Sequence, residues 1–117
     1  MSKHFDVFAA PGGVLAHSYS RTIPRAWKAV ARVFVALGDP HRQRILLMFE
    51  KGERLNVSEI AAASALSRPA ISYHLKVLRE AGVLASEKRG REVYLWVNRP
   101  QLESALAAVT EYVRENA

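Results

Sequence analysis

Between Ser67 and Gly82 the apolar residues Ile71, Leu75 and Leu78 recur with the period of a helix buried along one face. Ser72, Tyr73, Lys76 and Glu80 fall on the opposite side. Stop and start signals frame a helix over 67–81: Ser67 or Arg68 at the N-cap, Pro69 in the first turn, and Gly82 where a left-handed residue closes the last turn. Ser67 has the better capping side chain, and Pro69 disfavours helical geometry at Arg68, so both residues stay candidates for the cap. The outer face offers a hydroxyl, a phenol and cations, a surface suited to base edges and phosphates; on pattern alone it is equally a solvated helix face.

Upstream, Trp27, Val30, Phe34 and Leu37 form the apolar stripe of a helix opened by Pro24 and stopped by Gly38. Asp39 caps a second helix with Pro40 at its first position, and Ile45, Leu46 and Phe49 supply its buried face until Gly52. Asn56 and Glu59 have capping-box spacing before a short helix from Val57 to about Ala63. The turn through Ser64, Ala65 and Leu66 then joins it to the central helix, a helix-turn-helix. If Ala65 were left-handed, the missing glycine would cost about 1 kcal/mol.

After Gly82 the period changes to two. Residues 83–88 and 92–97 flank Arg89-Gly90-Arg91 and read as a hairpin. Pro100 opens a last helix, 100–116, carrying Leu102, Ala105, Leu106, Val109, Tyr112 and Val113 on one stripe, more apolar surface than the remaining chain needs to cover. Residues 1–22 have no sustained period and contain the breaker Pro11-Gly12-Gly13. They read as an arm with a short helical piece near 14–19, and Phe5, Phe8, Leu15 and Tyr19 make it apolar enough to pack on a neighbour or a second subunit. The expected division is an arm, 1–22, and one domain, 23–117, within 117 residues.

Charge sharpens the picture. The chain carries 17 Lys and Arg against 11 acidic residues, +6 overall, which favours an anionic partner. Residues 68–91 hold six basic and two acidic residues, whereas 92–117 hold two and four. There is no cysteine, so disulfides, thiolate ligands and cysteine nucleophiles are excluded. No apolar run approaches the roughly 18 residues of a membrane span, and no signal-peptide core opens the sequence, which predicts a cytoplasmic protein without membrane contact.

The run V-A-L-G-D-P-H-R-Q-R-I-L, the N-V-S-E-I helix, S-R-P-A-I-S-Y-H-L-K-V-L-R-E-A-G-V-L and K-R-G-R-E-V-Y closely resemble, in order and spacing, the ArsR/SmtB family of bacterial winged helix-turn-helix repressors. The resemblance covers about residues 24–117. It implies a mostly α fold of order α-α-α-α-β-β-α with a β-hairpin wing, and a homodimer joined through its first and last helices. It also implies binding to double-stranded DNA at a pseudo-palindromic operator. By position it places Arg68, Pro69, Ser72 and Tyr73 against bases, with Arg68 where the family often has Gln and Tyr73 where His is frequent. Lys76, Arg79, Lys88, Arg89 and Arg91 are placed against the DNA backbone. Trp27, Val30, Phe34, Leu102, Leu106, Val109, Tyr112 and Val113 are placed at the dimer interface. His74, beside the buried stripe, reads as a structural histidine or a phosphate contact.

Many members of that family sense metals, yet the positions of their Cys-x-Cys pair hold Asn56 and Ser58, and the last helix has Glu103, Glu111 and Glu115 but no His. His4, His17 and His41 lack ligand spacing. The expectation is therefore no metal, no cofactor and no cysteine-based switching. The inducer, a small molecule, a protein or none, stays open. The rival reading is a winged-helix adaptor whose basic faces meet an acidic protein. An enzyme is disfavoured: no phosphate loop is present, and Ser72 and His74 point apart on the helix.

Overall fold

A computed structural model describes residues 21–117. The helical piece expected near 14–19, His4, His17 and almost the whole of the 1–22 arm lie outside the described residues.

Pro24, at φ −59° and ψ 150°, turns the chain into a 3-10 turn, Arg25–Trp27, from which α1 (Lys28–Leu37) grows. The face that α1 buries is not the expected stripe. Val30, Val33 and Ala36 go inside, while Phe34 is exposed and Trp27 and Leu37 are half-buried. A helix reading Ala-Val-Ala-Arg-Val-Phe-Val-Ala-Leu is apolar over most of its circumference, so period alone does not choose a face. The slimmer Val33 and Ala36 admit the central helix more closely than Phe34 would.

Asp39 caps α2 (Pro40–Leu46), its carboxylate accepting the backbone N–H of His41 at 2.8 Å and of Arg42 at 3.2 Å. The helix is shorter than expected. Beyond Leu46 the backbone tightens into shorter-range bonds, Met48 N–H to Ile45 and Phe49 N–H to Leu46, before Gly52 turns the chain at φ +74°. A further correction concerns the sheet. Leu55–Asn56 forms a short strand, β1, so the sheet has three strands and the order is α-α-β-α-α-β-β-α. Two residues are too few for a strand period to register.

Asn56 then closes a capping box on α3 (Val57–Ala62): its Oδ1 accepts the Glu59 N–H at 2.7 Å, and Glu59 Oε1 accepts the Asn56 N–H at 2.8 Å. In the following turn the Ser64 hydroxyl accepts the N–H of Leu66. Among the described residues only glycines have positive φ, so Ala65 carries no left-handed strain. The cap of α4 (Arg68–Glu80) is Ser67, whose Oγ accepts the Ala70 N–H at 3.3 Å.

The end of α4 satisfies its carbonyls through a Schellman pair. Gly82 N–H bonds Arg79, Val83 N–H bonds Leu78, and Gly82 takes φ +81°. Val83 is thereby driven into the core. From there β2 (Leu84–Arg89) and β3 (Glu92–Val97) form an antiparallel hairpin with Leu84 opposite Val97 and Arg89 opposite Glu92, and β1 lies on the outer side of β3. The chain ends in α5 (Arg99–Asn116), which returns to pack on α1.

Ile45, Ile60, Ile71, Leu78, Val83, Leu84 and Leu95 are almost fully buried together, one residue or more from each of α2, α3, α4 and the hairpin. At about 1.5–3 kcal/mol for each large aliphatic side chain, this shared core holds α4 rigidly with its polar side outward.

Candidate nucleic-acid interface

On α4 the buried residues Ile71, Leu75 and Leu78 occupy one side, and Arg68, Pro69, Ser72, Tyr73, Lys76 and Arg79 are all exposed on the other, spread over roughly 140° of the helix circumference. Tyr73 leaves 59% of its surface to solvent, so its phenol is available to a partner. The separation follows from the sequence: aliphatic residues recur every three to four positions, and none interrupts the polar side.

One arginine links this helix to the two behind it. Arg42 donates from Nε to the carbonyl of Ala36 at 2.7 Å, from Nη2 to that of Val35 at 3.4 Å, and from Nη1 to Nδ1 of His74 at 3.2 Å. It thus joins the C-terminal end of α1, α2 and α4. His74 is accordingly a bonded structural residue, half-buried, its ring 5.8 Å from that of His41 and 5.5 Å from that of Tyr73. Arg44 donates to the carbonyl of Ala63 at 3.0 Å, holding the end of α3 against α2. Arg68 Nη1 lies 3.5 Å from the Ser58 hydroxyl, which brings α3 to the N-terminal edge of the polar face.

At Asp39 loss of hydration, the largest single influence, raises the carboxyl pKa. The N–H groups of Arg42 and His41, with the Arg42 charge and the nearby His74, together outweigh it and hold the pKa below its ordinary value.

The hairpin carries the second set of cations. Its two-residue turn has Gly90 first, at φ +60°, and Arg91 second, the arrangement of a type II′ turn, which matches the twist of the strands. Lys88, Arg89 and Arg91 are exposed at this tip. Arg89 lies 3.8 Å from Glu87, and Glu87 also pairs with Arg54 at 3.0 Å. Exposed pairs of this kind are worth about 0–1 kcal/mol each and leave the cations available to a stronger anion.

The residues expected at a dimer interface divide into two groups. Val30 is buried within the chain, Leu102 and Val109 are half-buried, and Trp27 meets Tyr112 edge to face at 6.0 Å. Phe34, Leu106 and Val113 remain 41%, 46% and 50% exposed. Ile23, Trp27, Val30, Ala31, Phe34 and Val109 line an apolar hollow of about 330 Å³ between the start of α1 and α5.

The metal positions of the resemblance do not fit a metal. Asn56 is engaged in the capping box, Ser58 faces Arg68, and Glu103 is paired with Arg99 at 2.8 Å. No group of three His, Cys, Asp or Glu side chains that could hold an ion occurs among the described residues. No helix among them is long and apolar enough to cross a membrane.

Sequence reasoning missed Arg42, Arg44 and Ser58. Their partners lie up to 32 positions away, beyond any local period.

A helix-turn-helix with its second helix polar outward, followed by a basic two-stranded wing, defines the winged-helix class of DNA-binding proteins. Residues 39–86 match the family model described as "Bacterial regulatory protein, arsR family". The chain is 29% identical over 83 residues to the transcriptional repressor SdpR of Bacillus subtilis, covering 71% of this chain and 91% of that one. It is 30% identical over 82 residues to the uncharacterized HTH-type transcriptional regulator YceK of the same organism, covering 69% and 82%. An ArsR-like transcriptional regulator from Rhodococcus sp. RHA1 superposes with a TM-score of 0.69 at 29% identity, over 77% of this chain and 84% of that one. The chain belongs to the ArsR family of winged helix-turn-helix transcriptional regulators. It is a DNA-binding regulator of transcription and not an enzyme.

Proposed function

We propose that the chain acts as a homodimeric repressor on a pseudo-palindromic operator. In this reading the α4 helices of the two protomers enter successive major grooves about 34 Å apart. Arg68, Pro69, Ser72 and Tyr73 meet base edges. Arg68 is suited to a bidentate contact with guanine. Lys76, Arg79, Lys88, Arg89 and Arg91 meet phosphates, and repression follows from occluding the promoter. The observation that carries the reading is the exposed α4 face, polar apart from Pro69 and backed by a buried aliphatic side.

Dimerisation through α1 and α5 is supported by Phe34, Leu106 and Val113, which a lone protomer would leave in water. SdpR is itself named a transcriptional repressor, which favours repression over activation. Domain 23–117 carries the DNA-binding elements in the cytoplasm, and its switching uses no cysteine-based metal or redox chemistry, since the chain has no cysteine.

The test is a double variant, Ser72→Ala with Tyr73→Ala, assayed on a duplex selected by the wild type and on a scrambled one. Loss of the preference between them, with weak salt-sensitive binding retained, is expected. A preference left intact contradicts the assignment of α4 to base reading.

A further inference from the structure

We propose that the cavity at the base of the wing is an effector site for a small planar anion, an aromatic carboxylate, which competes with Glu87 for Arg54. The cavity, about 400 Å³, lies between the loop after α2 and the junction of β3 with α5. Its size falls in the roughly 300–1,000 Å³ range of small-molecule pockets.

Phe49 and Trp96 give it aromatic walls, and Lys51 and Arg54 bring positive charge to its rim, where Arg99 is already paired with Glu103 at 2.8 Å. The opposing carboxylates are Glu50 and Glu53, and Glu53 is turned to the loop backbone, accepting the N–H of Glu50 at 3.0 Å. The aromatic and cationic elements meet at one point, where the Arg54 guanidinium stands 3.8 Å from the centre of the Trp96 ring. A flat ring ending in a carboxylate satisfies both groups by taking the place of the guanidinium over the indole and pairing with the guanidinium that it moves aside.

Arg54 also holds Glu87 on β2 at 3.0 Å, but the two side chains are 46% and 48% exposed, so water already competes for that pair and a better-placed anion displaces it. Glu87 released from Arg54 turns to Arg89, now 3.8 Å away, and neutralises a wing cation. This last link, from ligand to weaker DNA binding, rests on the DNA reading above; the binding site itself does not.

The test uses the full chain, 15N-labelled, titrated with 2-naphthoate and with the neutral 2-naphthalenemethanol. Saturable shifts at the Trp96 indole N–H and the Gly52 and Arg54 amides are expected with the carboxylate, and at least tenfold weaker binding with the alcohol. Arg54→Gln should lose tenfold or more in affinity. Glu87→Gln, which removes the competing anion, should bind a few-fold tighter, a gain that no general disruption would produce. Shifts confined to Phe34 and Val109, no shifts at all, or equal affinity for the alcohol would overturn the site. Naphthoate should also weaken binding to a selected duplex several-fold in the wild type and leave Arg54→Gln unaffected. Binding at the cavity with unchanged DNA affinity overturns the coupling. A protein that binds no duplex even without naphthoate refutes the DNA reading instead.

Discussion

The Arg42 guanidinium lies 3.2 Å from Nδ1 of His74, and because arginine can only donate, that nitrogen is the acceptor of the bond. One side chain thereby ties α4 to both α1 and α2, because the same arginine also holds the Ala36 and Val35 carbonyls.

Replacing Arg42 by Met keeps its apolar stem and removes all three bonds. The expected loss is about 1–3 kcal/mol of stability by urea denaturation, since the partly buried Ala36 carbonyl and an imidazole nitrogen lose their donor, while the Val35 carbonyl keeps the Gly38 N–H. DNA affinity should fall with it. His74→Ala removes a single bond and should cost less than Arg42→Met; equal costs would contradict the central position of the arginine.

Gly82 and Gly90 both have positive φ, at +81° and +60°, but only Gly82 is crowded: a Cβ there would stand 2.9 Å from the Gln101 side chain, while nothing lies within 4 Å at Gly90. Alanine at either site should cost about 1–2 kcal/mol from its backbone alone. Gly82→Ala should cost more, and part of the excess should return in the double variant with Gln101→Ala. Thermal melts of the four proteins check this.

Asp39 has a carboxyl pKa held below its ordinary value, so its charged form is favoured in the fold. That stabilisation is complete above the ordinary carboxylate pKa and disappears as the pH falls through the folded value. Asp39→Asn keeps the cap and loses the charge. The wild type should therefore melt higher than the variant at pH 7, with the gap closing below about pH 4. A gap independent of pH contradicts the electrostatic account.

How much of this was legible in advance depended on range. Caps and turns were legible because their partners sit within three or four residues: Asn56 with Glu59, Asp39 with Arg42, Gly90 in its turn. The α4 face was legible because its aliphatic residues have one period and its polar side has none. The buried side of α1 was not, since Val33 and Phe34 are equally apolar candidates and only the size of the opposing helix decides between them. β1 and the Arg42 clamp depend on contacts with distant residues, Leu95 and His74, that no local pattern encodes. The division into base-facing and phosphate-facing residues rests on the resemblance, since exposure is common to both sets and no local pattern separates them.

Phe34 and Leu106 should share a contact surface across the dimer. Phe34→Asp or Leu106→Asp should give monomers by sedimentation at micromolar concentration, with secondary structure retained because both side chains are already solvent-facing in one protomer. DNA affinity should drop by two orders of magnitude or more, as two half-sites cease to act together. Dimers that persist in both variants would place the interface elsewhere.

The central claim, that α4 reads DNA sequence in a two-fold assembly, is tested most directly by selecting duplexes bound by the purified protein from a random pool. The account predicts one enriched motif with inverted half-sites centred about one helical turn apart. Recovery of sequences with no shared motif, or of a single half-site without its inverted mate, would contradict it.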